Sequence, residues 1–500
     1  MIWLTEKFAR IEHNSRAIIR LALCAVSSLA LTACASLDPF GGMNEPSASS
    51  LAVVPMTSAF DDPAAAEHKR LIAQFGGEYK AAALEDFLNS ILTRLSAAEA
   101  QAGRTYQVTI LNTPAVNAFA LPSGHLYLTR GLLALANDSA EVAAVMAHEI
   151  AHVTARHALA RAELEKTEAL KSKVALAIQS QARSEELQAN GRRTLSGFSR
   201  EQEIEADQAG VKMIAQAGFD PFAAARFLTS LQRWSAMRAQ MMGDKTQARA
   251  ADLSASHPST PERIAKANDV ARQITAPGFG ERNREAYLAL LNGLDFGDNP
   301  AEGLVRGRLF QHPKLGFAFT APERFVLENS AKALLGLVDG GEQALRLDSV
   351  ALPIESSLET YLTTGWIEGL QKDSIQKRIV NGLEGAIAKA RNGTWDFRIG
   401  VIRLDTSVYR LIFAAHSPAL SADQRFIAAI DSFRRLSAEE MLRLHPAHIA
   451  IVTAGEGDHP ASLSARMNGV ERPLEIFMIL NGLEKGSGVK AGQNYKIVRD

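Results

Sequence analysis

Residues 145–157 read VMAHEIAHVTARH. His148 and His152 stand four residues apart, with Glu149 directly after the first. With twelve histidines and 55 acids in 500 residues, a His-Glu-x-x-His pattern arises by chance roughly 0.03 times per chain. Asp138 and Glu141 form a helix-starting box, and Ala, Val, Met and Ile carry the helix without Pro or Gly through residue 160. On such a helix the two imidazoles lie one turn apart on one face and reach a single cation. Glu149 is turned about 100° from that face, beside the ion, which suits a general base. His157, five residues past His152, falls off the ligand face and reads as a solvated surface histidine.

A tetrahedral zinc site with one open position needs a third protein ligand. SREQEIEADQAG (199–210) offers three glutamates. Ser199 with Gln202 reads as a helix start, after which Glu203, Asp207, Gly210 and Ile214 follow one stripe. Glu201 and Glu205 lie about 200° round from Glu203 and face away. Glu203 is therefore the expected ligand. Asp207, one turn on, is placed to hold a ligand histidine's second nitrogen, and Gly210 lets two helices approach closely. The bland alternative is a solvated charged helix face.

HEIAH, the downstream EIEAD, SHPSTPERI (256–264) and NAFALPSGHLYLTRGLL (117–133) together resemble the BepA/HtpX-type zinc metallopeptidases, relatives of the CAAX prenyl proteases. The resemblance covers roughly residues 66–275. It implies one Zn²⁺ held by His148, His152 and Glu203, with Glu149 as catalytic base. It also implies that His257 and Arg263 sit at the site, His257 stabilising an oxyanion or capping the zinc at rest. By themselves, His257 reads as a loop histidine and Arg263 as an ordinary residue of a helix that starts at Thr260-Pro261. Val116 to Leu121 reads as an edge strand, on which Asn117, Ala118, Phe119 and Ala120 would take an extended substrate by main-chain hydrogen bonds; otherwise it is core β structure. Glu163–Phe198 reads as a lid or a plain helical hairpin. PFAAARFLTSLQRWSAMRAQMM (221–242) covers the site or fills core.

At the N-terminus, LALCAVSSLALTA (21–33) is too short to span a bilayer and follows several basic residues, the pattern of an export signal. LTAC (31–34) resembles the lipobox of bacterial lipoproteins, in which Cys34 is lipidated. Cleavage there removes the other cysteine, Cys24, and leaves no disulfide. Ala35 after the acylated cysteine favours the periplasmic face of the outer membrane. Residues 1–33 are thus the expected signal and 34–66, rich in Gly, Pro, Ser and Ala, a tether.

The expected fold class is multi-domain α+β. Residues 67–280 form a mainly helical zincin-type domain with a small sheet. Residues 304–438 form an α+β module with strands in LGFAFTAP and ALRLDSVAL and a hairpin at Asn392-Gly393. SSLETYLTTGWIEGL and SADQRFIAAIDSFRRL read as its helices. Residues 446–500 have β-α-α-β order and resemble a LysM module, the kind that binds peptidoglycan sugars, although the turn reads TAGEGDH. The 54 basic and 55 acidic residues nearly cancel without a basic block, which speaks against nucleic acid.

Three readings of function follow. One is a periplasmic zinc endopeptidase acting on unfolded or misfolded envelope proteins. Another is an envelope assembly factor with a largely latent site. A third is a lipoprotein that binds the cell wall through its C-terminal module. No GxSxG elbow or P-loop is present.

Overall fold

The computed structural model describes residues 63–99, 104–178, 181–241, 257–330, 332–338, 341–417 and 420–500. The expected signal, Cys34 and nearly all of the tether lie outside the described residues. Asp138 starts the helix around which the first module packs: its carboxylate accepts the N–H of Glu141 at 2.9 Å. Glu141 in turn accepts the N–H of Asn137, just before the cap, so one orphan donor of the helix and the N–H leading into it are satisfied.

That module runs α1 (Pro63–Gln74), α2 (Ala82–Ala98), β1 (Gln107–Leu111), β2 (Ala118–Ala120), β3 (His125–Thr129), α3 (Arg130–Leu135), α4 (Ser139–Thr154), α5 (His157–Ile178), α6 (Gln181–Gln216), α7 (Ala223–Met241), α8 (Pro261–Ile274) and α9 (Arg284–Leu291). Every residue of α4 from Ser139 to Ala151 is buried; an Ala/Val/Met/Ile helix that is apolar all round packs on all sides. It lies against α2, β2, α6 and α7. Gly210 on α6 faces α4, where a Cβ would stand 3.3 Å from the His148 nitrogen and 3.5 Å from the Ala147 carbonyl carbon.

The small sheet has order β1-β3-β2, with β1 parallel and β2 antiparallel to β3. β2 is an edge. Thr129 N–H donates to Asn117 O and Leu121 N–H to His125 O. By antiparallel alternation, Ala118 and Ala120 therefore turn their main-chain groups away from β3, where Ala118 is buried and Ala120 partly exposed.

Two expected helix boundaries fail. The helix carrying the histidine pair stops at Thr154 rather than continuing to residue 160, because Arg156 takes a left-handed conformation (φ 55°) and α5 sets off in a new direction. The helix carrying Glu203 begins at Gln181, not at Ser199. Ser199 has the chemistry of a cap, but helix-forming residues on both sides and packing against α5 carry the chain straight through it. Residues 163–178 and 181–198 thus lie in two helices that pack on each other.

After β4 (Asp295–Phe296), the second module has β5 (Leu304–Arg306), β6 (Leu309–His312), β7 (Phe317–Thr320), β8 (Val326–Glu328), β9 (Leu334–Leu337), β10 (Gln343–Ala351), α10 (Leu358–Leu362), β11 (Leu370–Val380), β12 (Leu383–Asn392), β13 (Trp395–Leu404), β14 (Ser407–His416), α11 (Leu420–Asp431), β15 (Arg434–Arg435) and α12 (Ala438–Arg443). Its sheets have orders β11-β12-β13-β14-β10-β9-β8 and β15-β7-β6-β5, around a core rich in phenylalanine. Gly393 and Thr394 make the β12–β13 turn. The helix expected over residues 356–370 is only α10; Gly365 (φ 91°) lies beyond its end, and Leu370 begins a strand.

The C-terminal unit is β16 (Ala447–Thr453), α13 (Pro460–Ser464), α14 (Pro473–Leu480) and β17 (Asn494–Arg499), in the expected β-α-α-β order. It does not stand apart. Phe477, Leu480 and Ile497 share one apolar core with Leu133, Ala134 and Met146 of the first module, and β4 pairs with β16. Lys496 is fully buried; its ammonium donates to the carbonyls of Ala134, Leu135 and Ala136 at 2.8, 3.3 and 2.6 Å. Three acceptors compensate a charge whose burial is otherwise costly. This lysine clamps the C-terminal end of α3, just before α4.

Candidate functional site

Three segments converge at one point: the middle of α4, the second half of α6, and the turn before α8. His148 Nε2 and His152 Nε2 face each other at 3.0 Å. Glu203 lies 3.4 Å from each, Oε2 to His148 and Oε1 to His152. His257 brings Nδ1 to 2.8 and 2.9 Å from the two Glu203 oxygens and 3.3 Å from His148 Nε2. One donor atom from each of the four lies within 4.8 Å of all the others. Helical spacing thus brings together the three expected ligands, and His257 joins them from a loop.

A ring of partners holds this set. Asp207 Oδ1 stands 3.0 Å from His148 Nδ1. Arg263, 3% exposed, grips Asp207 with two parallel bonds of 2.7 and 2.8 Å. Its Nη1 reaches Glu203 Oε2 at 2.9 Å and donates to Pro258 O at 3.0 Å. The resemblance implies Arg263 at the site, and there it is. With its guanidinium spent on these partners, it acts as a positioning residue behind the ligands. Thr260 caps α8 by accepting the Arg263 N–H, which aims the arginine inward.

The electrostatics match a site built for positive charge. Burial opposes protonation of His148, but Asp207 and Glu203 outweigh it and push the ring up to about 10. Burial, with the His148 charge beside it, pushes His152 down to about 2, so that ring stays neutral with a free lone pair. Burial would raise Glu203, yet hydrogen bonds from His148 and His257 hold it well below the ordinary carboxylate range. Asp207 is held down in the same way, chiefly by Arg263 and His148 against burial. Neutral imidazole, ionised carboxylate and a place where positive charge is favoured are the donor chemistry of zinc, so these residues fit the ion.

Glu149 is 4% exposed, and its Oε1 has no hydrogen-bond partner among the described residues. Burial raises its pKa, against the pull of His257 and His148. A small cavity of about 30 Å³ beside it is walled by Ala144, Phe227, Leu228 and Leu231. Helix α7 therefore does flank the site.

His157 departs from its expected place on the surface. It is 5% exposed, with Nδ1 2.9 Å from His152 Nδ1 and Nε2 3.4 Å from Glu205; its carbonyl accepts from Gln202. The left-handed Arg156 folds it back, and no periodic signal announces such a turn at an arginine. Of the four expected substrate-strand residues, Ala118 and Ala120 turn their main-chain groups away from β3, but Ala118 is buried and only Ala120 is partly exposed. Phe119 stacks on Tyr127 at 4.9 Å between ring centres, and Asn117 is buried with its N–H on Thr129 Oγ1; neither faces the open edge.

Residues 82–271 match the family model described as Peptidase family M48. The mitochondrial metalloendopeptidase OMA1 of Schizosaccharomyces pombe is 32% identical over 182 residues, 36% of this chain and 51% of its own. The beta-barrel assembly-enhancing protease of Escherichia coli is 29% identical over 217 residues, 41% and 42% of the two chains. A putative beta-barrel assembly-enhancing protease of Vibrio cholerae is 31% identical over 204 residues, 38% and 40%. The chain thus spans about half, or less, of the length of these relatives. Over residues 82–271, then, this chain is similar to peptidase family M48 and to the beta-barrel assembly-enhancing proteases.

Proposed function

We propose that the chain is a zinc-dependent endopeptidase that hydrolyses peptide bonds of unfolded or misassembled proteins in the bacterial envelope. One observation carries this reading: four ligand atoms of His148, His152, Glu203 and His257 within 4.8 Å of one another, with the buried carboxylate of Glu149 on the same helix. A zinc ion held there supplies Lewis acidity, acidifying water and polarising a carbonyl.

The residues divide the remaining work. Glu149, with burial raising its basicity, accepts the proton of the attacking water and returns it to the leaving amine. Arg263 and Asp207 hold His148 and Glu203 in place. His257 closes the cluster at rest; released from Glu203, its N–H serves the oxyanion that develops on the substrate. The edge of β2 at Ala120 takes an extended chain by strand addition, which favours unfolded substrates because folded ones offer few free strands.

The M48 relatives named for beta-barrel assembly support an envelope role. The lipobox-like LTAC supports a lipid anchor at Cys34 on the periplasmic face of the outer membrane. Among the described residues no helix is long and apolar enough to cross a membrane. The β-α-α-β order of the C-terminal unit supports a LysM-like fold, with peptidoglycan as its ligand. The test is casein digestion by protein from Ala35 onward with and without chelator: digestion that stops on chelation and returns with zinc is expected. Digestion indifferent to chelator would remove the reading.

A further inference from the structure

A second, larger cavity of about 220 Å³ lies where the three modules meet. The first module gives it the Pro114–Val116 backbone, Arg130 and the end of α7; the second gives Val305 and Leu327; the C-terminal unit gives Val470, Ile476 and Leu480. No residue of the metal cluster touches it. We infer that this cavity is a distal subsite that takes large apolar side chains of an extended polypeptide, on the C-terminal side of the bond cleaved at the metal cluster. The inference rests on the peptidase reading above.

Two elements connect the cavity to the cluster. Helix α7 is the first. Phe227 and Leu231 wall the space beside Glu149, and one stripe further along, Trp234, Arg238 and Met241 wall the junction cavity. From Leu231 to Met241 is ten residues, about 15 Å of helix, the length of four to five residues of extended chain at about 3.3 Å each. The strand β2 is the second. Its edge away from β3 is partly exposed at Ala120, and the residues that lead into the strand, Pro114 to Val116, are themselves wall of the cavity. A chain laid antiparallel on β2, the more stable pairing, runs its C-terminal side toward the start of that strand and hence into the cavity.

The walls suit this occupant. Trp234, Met237 and Met241 are large and apolar, and flexible Met side chains accommodate varied shapes. Arg130, 1% exposed, is fixed by its bonds to Asn112 Oδ1 and Asp295 O. Its Nη2 has no hydrogen-bond partner among the described residues. That leaves one rigid donor for a carbonyl of the incoming backbone, where an unpaired donor is otherwise costly.

The test uses the zinc-loaded chain from Ala35 onward and two quenched-fluorescence peptides with the same residues around the cleaved bond. One ends, amidated, two residues after that bond; the other continues for six apolar residues. The expected result is a kcat/KM at least tenfold higher for the long peptide, expressed mainly in KM. Val470→Trp, which fills the cavity, should cut that preference to about twofold. Trp234→Ala, which enlarges it without crowding, should lower the preference too, and serves if the first variant does not fold. Equal use of both peptides by the parent chain, or a preference untouched in a folded Val470→Trp protein, overturns the subsite and leaves the peptidase reading standing. Cleavage of neither peptide contradicts the peptidase reading itself, and the subsite with it.

Discussion

His157 Nδ1 stands 2.9 Å from His152 Nδ1. His152 turns Nε2 toward His148 and Glu203, so its proton belongs on Nδ1, where His157 accepts it. His157 then carries its own proton on Nε2, facing Glu205. One histidine of the cluster is thus oriented by a carboxylate, Asp207, and the other by a second imidazole. Loss of such a partner lowers metal affinity by about 10–100-fold. His157→Leu should show that loss in zinc competition against a chromophoric chelator, and His157→Gln, which keeps an acceptor, should recover much of it. Equal affinity in all three proteins contradicts the arrangement.

Glu149 is the proton carrier in this account and does not ligate the ion. Glu149→Gln should therefore keep its zinc and lose roughly 10²–10⁴-fold in peptide hydrolysis. Metal content by elemental analysis and turnover of a fluorogenic peptide, measured on one preparation, separate the two effects. Retained turnover would assign the proton to another group.

Gly210 sets the distance between the two ligand helices. Gly210→Ala places its Cβ 3.3 Å from the His148 nitrogen, a contact the helices relieve by a few tenths of an ångström. Gly210→Val adds branched bulk against rigid backbone and should cost about 1–3 kcal/mol, with weakened zinc binding. Thermal unfolding with and without zinc reads both. A valine variant as stable and as tight as the parent would mean the helices are free to part.

His312 gives the second module an acid sensitivity. It packs between Phe310 and Phe317 at 6.1 and 5.7 Å. Burial, with Lys314 adding, pushes it down to about 4 from 6.5. Between those values the unfolded chain binds the proton and the folded one does not. Its contribution is complete above pH 6.5 and falls away as pH drops toward 4, by on the order of 3 kcal/mol. His312→Phe should flatten the pH dependence of urea midpoints in that window. Parallel curves for the two proteins would show that the ring protonates freely.

How much of this was legible beforehand follows from which contacts are local. HEIAH and Glu203–Asp207–Gly210 are patterns of one helix each, and helical phase alone selects, from three glutamates, the one that stands beside the histidine pair. His257 and Arg263 came only through resemblance, since nothing local ties a loop histidine to a helix 109 residues earlier. His157 was misplaced because the turn at Arg156 uses a left-handed conformation at a residue with no preference for it. The start of α6 was misplaced because a capping serine only permits a helix to begin. Lys496, which joins the C-terminal unit to the end of α3, rests on a contact spanning more than 350 residues, beyond the reach of any periodicity.

On the proposed reading, one divalent ion joins α4 to α6. This is tested most directly by dialysing the chain from Ala35 onward against chelator, reloading it with zinc, and measuring bound metal per chain for the parent, His152→Ala and Glu203→Ala. The account predicts one zinc per parent chain and a large loss of affinity in each variant. A parent that retains no zinc, or a Glu203→Ala protein that binds it equally well, would contradict it.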